Sequence, residues 1–162
     1  MLGKILSIAS GLLNENTAFA HCDIPCGIYD PHNAQLAAHT IIRMTEFLGK
    51  VKRDDETKAE HDIARVTHVK EDHSDILEHE LFTLRHDYFK DEQLKQYPNL
   101  VDLFQKALKS IALARTGIDI ESAKETLETV LQISEIFYKS KNVTPIRVKS
   151  VYPTELEIVT YK

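Results

Sequence analysis

The run His21-Cys22-Asp23-Ile24-Pro25-Cys26 places two thiols and an imidazole within one short segment. Thiolate and imidazole side chains at this spacing suit metal ligation or a local redox disulfide, and the spacing of the two cysteines leaves both open. The chain has only two cysteines, so it is not a secreted scaffold stapled by several disulfides.

The residues just before the run add a further donor. Ala18-Phe19-Ala20 has the small-residue look of a cleavage site, directly ahead of His21. A cut there exposes an α-amine with an ordinary pKa of about 8, followed by the imidazole and, one residue on, the Cys22 thiol. The Cys22 backbone amide lies between amine and sulfur, so a five-membered chelate closes if that amide deprotonates. Cys26 brings a second thiolate once the chain reverses at Pro25-Cys26-Gly27. The product is a plane of two sulfurs and two nitrogens with the imidazole left to bind axially. Such a set favours Ni(II) or Cu(II), whereas zinc prefers a tetrahedron and has no redox step. Thiolate donation stabilises an oxidised metal and brings a Ni(II)/Ni(III) couple within reach of a mild oxidant. Processing thereby switches the site on.

The elements that must carry this hook read as helices. Residues 1–20 form a removable leader, with a short apolar stretch from Ile5 to Leu13 broken by Ser7, Ser10 and Gly11. Asp30-Pro31 signals a helix start, and apolar residues from Leu36 to Val51 recur at spacings near three and four. After a charged loop from Lys52 to Glu56, a longer helix carries Ile63, Val66, Val69, His73, Ile76, Leu77, Leu81 and Leu84 on one face, to about Phe89. A third helix runs from Leu100 to Thr116, where Gly117 suits a left-handed cap. A fourth runs from about Asp119 to Lys139. The expected fold is all-α: an antiparallel four-helix bundle with an irregular N-terminal hook (21–29) and a short extended C-terminal segment. The bundle domain covers 21–142. Beyond it, 143–162 is rich in β-branched and aromatic residues and reads as an extended ribbon.

Composition limits the partners. The 162 residues suffice for one domain with a core; 43% are hydrophobic and 28% charged, and the net charge is −5. Lys and Arg are scattered, which argues against nucleic acid, and no apolar run reaches the roughly 18 residues that span a bilayer.

His21 to Pro31, as His-Cys-Asp-x-Pro-Cys-Gly-x-Tyr-Asp-Pro, resembles the signature of the nickel superoxide dismutase family. Asp87-Tyr88-Phe89-Lys90 and Tyr97-Pro98 also match family positions, and the resemblance runs from about His21 to Ser140. It implies one nickel ion per subunit. His21 would give amine and axial imidazole, Cys22 thiolate and backbone amide, and Cys26 the second thiolate. It also implies that Tyr29 lines the substrate channel with Asp23 and Tyr88 in support, that the subunits form a homohexamer, and that a peptidase removes the leader. The family habit is cytoplasmic, with export the alternative if the leader acts as a signal peptide. Two departures stand out: where the best-known branch holds the axial imidazole with a glutamate and an arginine, this chain aligns Ala37 and His73. The ribbon past Ser140 also exceeds the family core.

Two other readings compete, a nickel-delivery protein without turnover and a metal-free thiol-disulfide protein built on Cys22 and Cys26. A di-iron bundle does not. None of the eight histidines has a glutamate three positions before it, and no two are three or four apart. His32, His39, His61, His68, His79 and His86 are expected at the surface, and His73 on the apolar stripe of the second helix. Lys90 is expected as a solvated lysine, with attraction of the superoxide anion as its functional alternative.

Overall fold

Asp30 and Pro31 start the first helix as their types predict. The Asp30 carboxylate accepts the N–H of His32 at 2.7 Å, and Pro31 occupies the cap of α1, His32–Leu48. The computed structural model describes residues 27–162. The leader and His21, Cys22, Asp23 and Cys26 lie outside the described residues. α2 spans Glu56–Thr83 and begins at Asp55, whose side chain accepts from the Lys58 N–H. A π-helical turn, Leu84–Tyr88, continues it. After the short α3, Asp91–Gln96, come α4, Leu100–Thr116, and α5, Ile120–Ser140, capped by the Asp119 carboxylate. Short connections lay the four long helices side by side in a bundle, with α1 against α2 and α5, and α4 against α5. Among the described residues, no helix is long and apolar enough to cross a membrane.

Ala34, Ala37, Ala38, Ile41 and Ile42 of α1 are all within 1% of complete burial and meet Leu77, Leu81, Phe104, Ile111, Val130 and Phe137 in one core. The stripe on α2 is less uniform than its periodicity predicts. Ile63, Val66 and Val69 are half-buried and Ile76 is exposed. α2 has 28 residues and α1 only 17, so the first half of α2 has little to pack on.

Two expectations are corrected. Gly117 is not a left-handed cap: its φ is −105°. Glycine suits this position for space, since a Cβ would approach the Leu113 carbonyl oxygen to 3.0 Å. The Gly117 carbonyl in turn accepts from Lys70, an almost fully buried lysine on α2. His39 is not at the surface. It is 4% exposed, bonded through Nδ1 to Thr154 Oγ1 at 2.7 Å and through Nε2 to the Glu157 carbonyl at 3.1 Å. Periodicity on α1 could not reveal this, because its cover comes from the far end of the chain. Between Phe89 and Tyr97 the chain adds the short α3. His32, His61, His68, His79 and His86 are exposed as expected.

The extended C-terminal segment folds as an antiparallel hairpin, β1 Pro145–Lys149 with β2 Glu157–Tyr161, in register Arg147 opposite Val159. Buried Gln35 of α1 pairs with the Val159 backbone in both directions, its Nε2 donating to the carbonyl (3.1 Å) and its Oε1 accepting from the N–H (2.7 Å). Arg147 spans Glu128 and Glu135 of α5 at 2.6–2.9 Å. The hairpin is thus a fixed cover on α1 and α5.

Candidate metal centre

The described chain enters at Gly27 with φ +75° and nothing within 4 Å of a would-be Cβ. Backbone conformation, not crowding, calls for glycine there. Ile28 is 80% exposed. Tyr29 turns inward and packs on Tyr88, ring centroids 5.5 Å apart and planes at 53°. Two of the expected site residues, far apart in sequence, therefore share one wall. Tyr29 follows Cys26 by three residues, which at the chain's full reach is about 11 Å.

The π turn is what delivers Tyr88. Its wider hydrogen bond, Phe89 N–H to the Leu84 carbonyl at 2.9 Å, takes one residue more than an α turn and changes the direction in which later side chains project. The Tyr88 ring then rests on Phe137 of α5 (4.6 Å) and Phe89 (4.8 Å). Its hydroxyl donates to Ser140 Oγ at 2.6 Å, and that hydroxyl donates to the Phe137 carbonyl, also at 2.6 Å. Burial pushes the Tyr88 phenol above its ordinary value, so it works as a neutral donor. The Lys141 ammonium lies over the Tyr88 ring at 4.8 Å from its centroid. Ser140 and Lys141 were not legible as site residues, since nothing in the sequence brings the end of α5 to the Tyr88 turn. Lys90 is exposed and donates to the His86 carbonyl at 2.8 Å.

Ala37 and His73 line a different feature, an open cavity of about 560 Å³ walled by α1, α2 and the Tyr152-Pro153-Thr154 turn of the hairpin. His73 is held by its own helix, Nδ1 donating to the Val69 carbonyl at 2.8 Å. Ala37 is 1% exposed and offers no polar group.

Among the described residues, no three His, Cys, Asp or Glu side chains gather closely enough to hold a metal ion. The donor set of His21, Cys22 and Cys26, with thiolate softness and nitrogen donors, fits nickel. The family model described as nickel-containing superoxide dismutase matches residues 16–141. The chain belongs to the nickel-containing superoxide dismutase family, and so is an enzyme acting on superoxide with nickel as cofactor. It is 34% identical over 122 residues to the nickel superoxide dismutase of Streptomyces seoulensis, covering 75% of this chain and 88% of that one. A solved nickel superoxide dismutase with ligation corresponding to the oxidised state superposes with a TM-score of 0.68 at 33% identity, covering 75% of this chain and 99% of the other. A variant whose position-one histidine is replaced by alanine gives 0.64 at 28%, covering 70% and 99%. The C-terminal hairpin falls past the end of the family match.

Proposed function

We propose that the enzyme becomes active when a peptidase cuts between Ala20 and His21, and that the new terminus binds nickel. The observation that carries this reading is the docking of Tyr29 on Tyr88, which ties the chain to the bundle three residues after Cys26. The relative numbered from a histidine at position one supports the same cleavage point. On this reading 1–20 is the leader, 21–142 the catalytic bundle and 143–162 an extension.

His21 would hold the metal through its amine and imidazole, Cys22 through thiolate and backbone amide, and Cys26 through its thiolate. Nickel held there would supply one-electron redox chemistry. Overall, two superoxides and two protons give dioxygen and hydrogen peroxide. Tyr29 restricts access and orders water beside the site. Tyr88 fixes Tyr29 in place, with its own hydroxyl held by Ser140. Asp23 supports the site nearby, and acidic groups or thiolates close to it relay protons. The subunits assemble as a homohexamer that encloses the hooks, in the cytoplasm, with neither nucleic acid nor membrane as partner.

Intact-mass measurement on nickel-bearing protein tests the cleavage. A mass beginning at His21 is expected. Nickel and full activity in a species that still carries Met1 to Ala20 would overturn it.

A further inference from the structure

We propose that Lys141 draws the superoxide anion toward the Tyr29–Tyr88 wall, acting as an electrostatic positioning residue. The inference rests on the site assignment above and adds a role for a residue outside the metal-binding run.

The problem it solves is one of charge. The substrate is an anion and the protein carries a net charge of −5, so the overall field disfavours encounter. A local positive potential at the site reverses this where it counts, because an anion within about one screening length of a cation feels it most. Lys141 is placed to supply that potential. Its ammonium is 4.8 Å from the Tyr88 centroid and 5.7 Å from that of Phe137. Tyr88 is 5.5 Å from Tyr29.

Among the described residues, its charge also has no carboxylate at ion-pair distance. Arg43, Lys58, Lys106, Arg115, Lys124, Arg147 and Lys149 each pair with a carboxylate. No carboxylate among the described residues forms an ion pair with Lys141. The Asp30 carboxylate, whose charge is felt at Tyr138, accepts the His32 N–H rather than pairing with Lys141.

The mounting is rigid. Lys141 closes α5, its N–H bonded to the Phe137 and Tyr138 carbonyls. The preceding Ser140 is bonded to both Tyr88 and Phe137. A ring face attracts the ammonium toward the aromatic wall, which keeps the charge beside the site. The plain alternative is a lysine that merely complements the α5 carbonyl end. That role affects stability and is indifferent to substrate charge, so the two separate by experiment.

The test is kcat/KM for superoxide on the nickel-loaded, processed enzyme, at about 0.01 M and about 1 M salt, where the screening lengths are roughly 30 Å and 3 Å. Lys141→Gln is expected to lower kcat/KM about two- to threefold at low salt and to match wild type at high salt. Lys141→Glu should fall further, Lys141→Arg should retain the wild-type value, and Lys139→Gln, an exposed change on the same helix, should have little effect. An active wild type with an indifferent Lys141→Gln would overturn the role of Lys141 alone. So would an equal fall at both salts, or an equal fall in Lys139→Gln. A nickel-loaded wild type that consumes no superoxide would instead remove the site assignment, and this inference with it.

Discussion

The ring of Tyr29 lies 5.5 Å from that of Tyr88, with the planes tilted by 53°. One partner stands just past the cysteine run and the other at the end of a π turn more than fifty residues later. Their contact is where the N-terminal arm meets the bundle, and it depends on the hydroxyl relay from Tyr88 through Ser140 to the Phe137 carbonyl.

Removing only the Tyr88 hydroxyl isolates that relay. Tyr88→Phe keeps the ring contacts and should cost about 1 kcal/mol of stability, the usual worth of a neutral hydrogen bond. Tyr88→Ala also removes the ring under Tyr29 and should cost about 3 kcal/mol. Urea midpoints on both variants check this. Equal losses would mean that the hydroxyl, not the ring, holds the wall.

Stability should depend on pH through His39. Burial holds its imidazole below the ordinary value of 6.5, outweighing the opposing bond to the Glu157 carbonyl. The unfolded chain therefore takes up this proton near pH 6.5 while the folded one resists it. The contribution is full above that pH and is lost progressively as pH falls. A second decline belongs below the ordinary carboxylate value of 4.5, because the Arg147 bond holds the Glu128 carboxyl low and its stabilisation goes as the folded group protonates. Denaturant midpoints across pH 4–8 should show the upper decline in wild type and lack it in His39→Gln.

The C-terminal hairpin should be a structural cover whose seam is Gln35. Gln35→Ala leaves the Val159 N–H and carbonyl without their partners in a buried setting, a loss of about 2–4 kcal/mol. Hydrogen exchange should speed up along Glu157–Tyr161 before it does in α4. Unchanged exchange in β2 would show that Arg147 and its carboxylates hold the hairpin by themselves.

Much of the bundle was legible because helical periodicity and caps are local. Asp119 and Leu100–Thr116 behave as their types predict. Tyr29 and Tyr88 were legible as a pair only through family resemblance, for nothing local foretells a π turn. His39 was misread because its partners, Thr154 and Glu157, lie more than a hundred residues away. Gly117 was misread because a helix-ending glycine has two uses, positive φ and close approach, and only coordinates separate them. The positions aligned with the family's imidazole clamp, Ala37 and His73, share one cavity with the hairpin turn. That grouping is invisible in sequence because the turn belongs to the extension.

The most direct test of the central claim is superoxide consumption by stopped flow on protein that begins at His21 and is loaded with nickel. Three comparators are needed: Cys22→Ser, the uncleaved chain, and the processed chain loaded with zinc. The account predicts rapid catalytic loss of superoxide only in the nickel-loaded processed wild type. Full activity in the uncleaved chain, or activity with zinc, would contradict it.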